Sequence, residues 1–245
     1  MVTAKKIQVT EYNITYMLSR DYKFVFVSDL HGFDNRFIFE KIKERAPDAL
    51  LVGGDFIHDA NNYKSGLEFL KETVKHLPVY CCLGNHEFRF DEDMKPQILD
   101  TGVTILDNSY IEFEEIIIGG LTSAVKRGAK KDKKANKRIP EMEWLKEFSS
   151  IEEPKLLLCH HPEYYNKYLK KYPIDIILSG HAHGGQWRIF NRGIYAPGQG
   201  IFPKYTGGFY DERLIVSRGI GNPHLVPRIN NKPEIIVLNI KKEDS

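Results

Sequence analysis

Cysteine is scarce in this chain, and the few present do not suggest pairing. Only Cys81, Cys82 and Cys159 occur among 245 residues. Neighbouring cysteines rarely close a bridge and the count is odd, which argues against a disulfide-stapled secreted domain and for free thiols in a reducing compartment. Each lies in an apolar run, as a small buried strand residue would. Long apolar runs are also missing. Nothing approaches the ~18 residues that a spanning helix requires. Met1 to Thr10 has no apolar core behind a basic start, so it does not read as a signal peptide. The expectation is a cytoplasmic protein that can meet a membrane only from its surface. A strong charge bias is lacking too: the net charge is +2, which leaves no global footprint for nucleic acid. No internal repeat and no linker rich in Gly, Ser or Pro divides the chain, so residues 1–245 are expected to form a single domain.

What is present is a globular composition, 42% hydrophobic and 28% charged, long enough to bury a substantial core without staples. Short β-branched or aromatic runs alternate with helical spacing. Phe24 to Val27, Ala49 to Val52 and Pro78 to Leu83 read as strands buried on both faces. Between them, Phe37 to Arg45 and Lys64 to His76 read as helices. Such crossovers give parallel strands. Further on, Ile105-Leu106, Tyr110 to Phe113 and Ile116 to Ile118 suit hairpins of a mixed sheet. Met142 to Phe148 reads as a helix. Lys155 to Cys159, Ile174 to Leu178, Leu214 to Val216 and Ile235 to Leu238 read as strands. The expected architecture is α/β, with two packed mixed sheets and helices outside.

The residues with chemistry fall where strands end, which is where α/β sheets hold ligands. The first strand runs into Ser28-Asp29-Leu30-His31. In extended backbone, residues two apart share a side, so Asp29 and His31 are expected to face one ion together. The second strand ends in Gly53-Gly54-Asp55, where the small residues permit close backbone approach. The third ends in Gly84-Asn85-His86-Glu87. Later strands end in His160-His161-Pro162 and in Gly180-His181-Ala182-His183-Gly184-Gly185-Gln186. Each signal alone is weak, but five strand ends in succession deliver nitrogen or oxygen ligands.

This series resembles the calcineurin-like metallophosphoesterase superfamily, whose pattern of Asp-x-His, Gly-Asp, Gly-Asn-His-Asp/Glu, His and Gly-His-x-His is complete between Asp29 and His183. The Gly-His-Ala-His-Gly-Gly-Gln ending and Val216-Ser217-Arg218-Gly219-Ile220-Gly221 are similar to the bacterial branch of YkuE-like proteins. The resemblance implies a four-layer α/β/β/α sandwich and a phosphoester hydrolase with two metal ions, Mn, Fe or Zn. Carried over, Asp29, His31 and His183 hold the first ion. Asn85, His160 and His181 hold the second, and Asp55 bridges both. His86 is implied beside the reacting phosphate as a catalytic group, with Glu87 orienting it. His160 rather than His161 follows from the family's His two residues before Pro, and His161 should then point the other way. Two ions about 3.5–4 Å apart need a bridging anion, and together they activate a water near neutral pH. Imidazole and carboxylate suit such ions better than a thiolate-preferring metal. The implied substrate is a small phosphate ester, mono- or diester, or a lipid head group. A nuclease and a non-catalytic scaffold on the same fold are the alternatives.

Other positions stay open. Lys126 to Arg138 carries eight basic residues and one acidic. It is either a solvated loop or an arm for an anionic substrate or membrane. His58 and Asp59 belong to the pocket rim or to a surface loop. Asn35 and Arg36 touch substrate, or Asp34 or Asn35 caps a helix. Arg218, near His224, clamps a phosphate or forms an ion pair inside the fold. His76 suits a helix C-terminus. The stretch Ile201 to Tyr210 is either an anchoring loop or an apolar wall built on Phe202 and Tyr205.

Overall fold

The computed structural model describes residues 7–31, 36–58, 63–87, 94–124, 140–222 and 227–243. The candidate positions Asp34, Asn35, Asp59 and His224 and the basic segment 126–138 lie outside them, as does the Arg36 side chain.

The first sheet is built from β1 (Gln8–Tyr16), β2 (Tyr22–Val27), β3 (Ala49–Val52), β4 (Val79–Cys81), β5 (Thr104–Ile105) and β16 (Glu234–Lys242), in the order β1-β16-β2-β3-β4-β5. β2 to β5 run parallel, with Phe26 opposite Leu51 and Leu51 opposite Tyr80, while β16 is antiparallel to β2 and parallel to β1. The second sheet takes β6 (Ser109–Phe113), β7 (Ile116–Leu121), β8 (Lys155–Cys159), β9 (Ile176–Ser179), β14 (Gly208–Tyr210) and β15 (Leu214–Val216), ordered β14-β15-β9-β8-β7-β6. β7, β8, β9 and β15 are parallel, and β6–β7 is the expected hairpin. Two short hairpins, β10 (Arg188–Ile189) with β11 (Arg192–Gly193) and β12 (Tyr195–Ala196) with β13 (Gly200–Ile201), stand apart from both sheets.

The period-2 alternation of strand side chains sorts the core into layers. Phe24, Phe26 and Leu51 meet Ile118, Leu156, Leu158 and Leu178 between the sheets. The alternate residues Val25, Val27, Leu50 and Val52 turn outward onto α1 (Arg36–Lys43), through Ile38 and Ile42, and onto α2 (Lys64–Thr73), through Phe69 and Leu70. In the second sheet Ile117, Leu157 and Ile177 pack on Leu145 and Phe148 of α4 (Trp144–Ser150). Helix, sheet, sheet, helix is the expected four-layer order. Every strand of the centre is apolar on both faces because both faces are covered.

The boundaries differ at the ends. The helix expected to His76 stops at Thr73, and the chain tightens: the His76 N–H donates to the Thr73 carbonyl at 3.0 Å. His76 therefore sits one turn beyond the helix, its Nε2 3.4 Å from Glu72. Strand β1 was not expected from sequence at all. Among the described residues, no helix is long and apolar enough to cross a membrane.

Candidate metal centre

Because β2, β3 and β4 are parallel, their carboxyl ends open on one edge of the first sheet; β8 and β9 do the same in the second. The five loops meet at the seam between the sheets. Backbone bonds stitch them together: the Asp29 N–H donates to the Gly54 carbonyl (3.0 Å), His31 N–H to Asp55 (3.1 Å) and Gly180 N–H to His160 (3.1 Å). The seam itself is crossed by the Gly221 N–H donating to the Asp29 carbonyl at 2.7 Å and by the His181 N–H donating to the Asp29 carboxylate at 3.1 Å.

The convergence of Asp29 and His31 has a different cause from the one expected. Neither is extended; their φ values are +54° and +46°. Asp55, His181 and His183 also have positive φ. Left-handed backbone at non-glycine residues costs on the order of 1 kcal/mol or more at each position, and it gathers where function requires a fixed geometry. The strand ends curl inward rather than continuing the pleat. Glycine makes the close approach possible: a Cβ on Gly84 would stand 2.3 Å from Asp55 Oδ1, and one on Gly54, itself at φ +83°, would stand 2.6 Å from the Gly84 nitrogen.

Two groups of donors result. In the first, His31 Nε2 lies 3.3 Å from His183 Nε2, and Asp29 Oδ1 lies 3.8 Å and 3.5 Å from these two nitrogens. The second gathers Asp55, His160 and His181, whose ligand atoms all fall within 4.8 Å of one another. Asp55 Oδ2 belongs to both neighbourhoods, 3.2 Å from His160 Nε2 and 3.8 Å from His31 Nε2. Asn85 is buried, and its Oδ1 has no hydrogen-bond partner. The backbone on either side of it is held, the His86 N–H donating to Asp55 Oδ1 at 2.8 Å and the Gly84 N–H to Glu87 at 2.7 Å. A buried amide oxygen without a partner is costly unless a cation uses it. The donor set of imidazole nitrogens and carboxylate and amide oxygens fits a pair of borderline or hard divalent ions. The three cysteines are buried and free, burial pushes their thiols up, and none enters a ligand group.

The electrostatics follow from burial. Loss of solvent raises the Asp29 carboxyl to about 6 and holds the His31 and His181 imidazoles well below their ordinary value. Asp55 and His160 behave oppositely. Burial resists charge on each, yet the opposite charge of the partner prevails. Asp55 is kept well below the usual carboxylate range and His160 is raised to about 10.

The Glu87 carboxylate is directed at backbone N–H groups rather than, as expected, at the His86 ring. Its carboxylate accepts the N–H groups of Gly84 (2.7 Å), Asp55 (2.9 Å) and Ile57 (3.3 Å). It is therefore a clamp between the β3 and β4 loops, and burial followed by the Asp55 charge raises it to about 8. His86 is oriented instead by the His58 carbonyl, 2.7 Å from Nδ1, which leaves Nε2 3.8 Å from Asp55 Oδ2. His58 is half-buried. Its ring stacks on His86 with centroids 5.4 Å apart and meets His31 edge-on at 5.5 Å, so the rim alternative for His58 is the one observed.

His161 directs Nε2 to Ser123 Oγ (2.6 Å) and Nδ1 to Glu163 (3.3 Å), but its ring also packs on His181 at 4.2 Å. Arg218 takes the internal alternative, 3.8 Å from Glu234 and bonded to Gln8 at 3.1 Å. Tyr205 is buried against Tyr165 and Tyr210 while Phe202 is exposed, so the two do not share a wall. Two contributors were missed in the sequence. Asn231 donates to the carbonyls of His183 (2.7 Å) and Gln186 (3.1 Å), fixing the Gly-rich turn. Arg228 brings Nη2 to 3.4 Å from His183 Nδ1 and donates to the Arg218 carbonyl at 2.8 Å. Nothing in their local sequence marks either one.

Comparison with known proteins follows the same lines. The family model described as calcineurin-like phosphoesterase matches residues 22–185. The phosphodiesterase YaeI of Escherichia coli (strain K12) is 28% identical over 244 residues, covering 89% of this chain and 82% of YaeI. YkuE of Bacillus subtilis (strain 168), an uncharacterised metallophosphoesterase, is 28% identical over 260 residues, covering 96% and 86%. Among solved structures, the phosphopantetheinyl hydrolase PptH from Mycobacterium tuberculosis is alike in fold, with a TM-score of 0.51 at 15% identity over 84% of this chain and 92% of PptH.

Proposed function

This chain belongs to the calcineurin-like phosphoesterase family, and from that premise we propose that it hydrolyses phosphate esters at a two-metal centre held by Asp29, His31, Asp55, Asn85, His160, His181 and His183. The chain is a metal-dependent phosphoester hydrolase by kinship; the two-ion mechanism and the division of roles are our reading. The observation that carries it is the position of Asp55 Oδ2, within 3.8 Å of an imidazole from each donor group. A single carboxylate so placed is what a bridging ligand requires. Asp29, His31 and His183 are assigned to one ion, and Asn85, His160 and His181 to the other.

When bound, the ions supply an activated water and neutralise the phosphate oxygens. The protein does the rest. Asp29 and Asp55 offset the charge of the ions, and the left-handed loops fix their oxygens before substrate arrives. His86, held by the His58 carbonyl at Nδ1, presents Nε2 to the centre. There its imidazolium form donates a hydrogen bond or a proton to the leaving oxygen, since a neutral ring that gives its Nδ1–H to the His58 carbonyl has no proton at Nε2. Glu87 supports that arrangement by locking the Gly84 and Asp55 backbones together. The name phosphodiesterase, carried by the relative YaeI, favours a diester as the substrate class here.

The test is turnover of bis-p-nitrophenyl phosphate and p-nitrophenyl phosphate by metal-stripped protein before and after addition of Mn²⁺, Fe²⁺ or Zn²⁺, with metal per chain measured in parallel. Recovery of activity with two ions per chain supports the reading, and the ratio of the two rates ranks diester against monoester. Full activity in the stripped protein, or saturation at one ion, overturns it.

A further inference from the structure

The two short hairpins that follow His183 carry an apolar surface that is exposed among the described residues. Phe190, at the tip between β10 and β11, is 96% exposed, and beside it Ile189 is exposed as well. On the second hairpin Tyr195 and Ile201 face each other across the strands, and Ile201 and its neighbour Phe202 are 71% and 76% exposed. The hairpins form one surface: the Ile194 N–H donates to the Trp187 carbonyl (2.9 Å) and the Phe202 N–H to the Ile194 carbonyl (2.8 Å), which sets the three segments side by side. Both phenylalanines also have left-handed backbone, φ +46° at Phe190 and +51° at Phe202. A bulky aromatic residue in that region is strained, and here its ring is also in water. Among the described residues neither ring is buried.

Charge identifies the occupant. From Gly184 to Tyr210 there is no aspartate or glutamate, while Arg192 on the first hairpin and Lys204 just after the second are exposed. An apolar tip with aromatic residues, flanked by cations and with no acidic residue of its own, Glu163 being largely buried where it meets Gly198, matches the interface of an anionic bilayer: rings enter the acyl boundary and the cations meet lipid phosphates. The surface begins where the His181–His183 loop ends, because the Ile194 N–H also donates to the Gly185 carbonyl at 3.1 Å.

We propose that the hairpin pair 187–202 docks this protein on an anionic lipid surface, with the metal-centre edge of the sandwich beside the bilayer. Docking needs neither metal nor turnover, so its failure and that of the hydrolase reading are separable. The experiment is sedimentation of metal-stripped and Mn²⁺-loaded protein with vesicles of phosphatidylcholine alone or mixed with phosphatidylglycerol, at low and high salt. Both protein forms should pellet with the mixed vesicles, less with phosphatidylcholine alone and less at high salt. The Phe190→Ser/Ile201→Ser variant should bind at least about tenfold more weakly, while retaining the wild-type Tm as proof of folding. Absence of binding to either vesicle, or equal binding by the variant, overturns the proposal. So does a wild-type dimer in sedimentation velocity that the variant converts to monomer without any vesicle binding, because the surface would then be covered by a second copy.

Discussion

Asp55 Oδ2 stands 3.2 Å from Nε2 of His160, and this contact links two sheets that share no hydrogen-bonded strand. One residue follows β3 of the first sheet and the other follows β8 of the second. An ion held at this place would tie the halves of the sandwich together. Asp55→Asn keeps the shape and removes the charge. Turnover of bis-p-nitrophenyl phosphate should fall by about 10³-fold or more, with fewer than two ions retained per chain. Wild-type metal content together with wild-type turnover in the variant would count against a bridging role.

The same pair predicts how pH acts on the metal-stripped protein. Burial opposes a charged His160, but Asp55 outweighs it and raises the imidazole to about 10; an unfolded histidine titrates near ~6.5. A raised folded value means that the stabilisation is fully present below ~6.5 and fades as pH rises toward about 10. Asp55, held well below the usual range, contributes above its unfolded value of ~3.9. The difference in Tm between wild type and Asp55→Asn, measured in EDTA, should therefore be largest between about pH 4 and 6.5 and shrink toward pH 10. A difference that stays flat, or grows with pH, contradicts the charged pair.

Gly84 provides a steric test of the same centre. A Cβ there would meet Asp55 Oδ1 at 2.3 Å and the Asp55 nitrogen at 2.7 Å. Neither atom can withdraw, because Asp55 Oδ1 accepts the His86 N–H and the Asp55 N–H is held by Glu87. Gly84→Ala should cost about 1–3 kcal/mol in denaturant unfolding and weaken Mn²⁺ binding measured by calorimetry. Wild-type affinity for Mn²⁺ in this variant would show that the loops yield more than their hydrogen bonds suggest.

The layers, and the gathering of the strand-end side chains at one edge, are readable because they depend on local signals. Continuous apolar runs such as Phe24 to Val27 and Leu156 to Leu158 declare doubly covered strands, and ligand residues at strand ends declare the edge. What was not readable depends on partners far away in sequence. Strand β1 alternates, with residues such as Glu11 exposed, and becomes a strand because β16, more than 200 residues later, supplies its ladder. Arg228 and Asn231 have no motif of their own; they acquire their place through the turn at His183. The position of Glu87 is not local either: adjacency to His86 suggests contact, whereas the tight turn after β4 sends the carboxylate back under Asp55. Asp29 and His31 were assigned a shared face from strand geometry, and reached one another through left-handed backbone instead.

Glu87 and His86 should accordingly separate under mutation, although they are neighbours in the chain. Glu87 accepts two short backbone bonds and one longer one, all buried. Glu87→Ala leaves those N–H groups without a partner, and the expected loss is about 3–5 kcal/mol of unfolding free energy, with weaker metal retention following from loosened loops. His86 holds none of these backbones by its side chain; its ring is fixed by the His58 carbonyl and directed at the centre. His86→Ala should keep close to wild-type Tm and two ions per chain, while kcat falls by about 10²–10⁴-fold. Its deficit should be smaller for an ester with a good leaving group, such as p-nitrophenolate, than for an alkyl ester, since only the poorer leaving group depends on a donated proton. Equal deficits for both esters would reduce His86 to a binding role. Loss of metal from His86→Ala with normal metal in Glu87→Ala would reverse the two assignments.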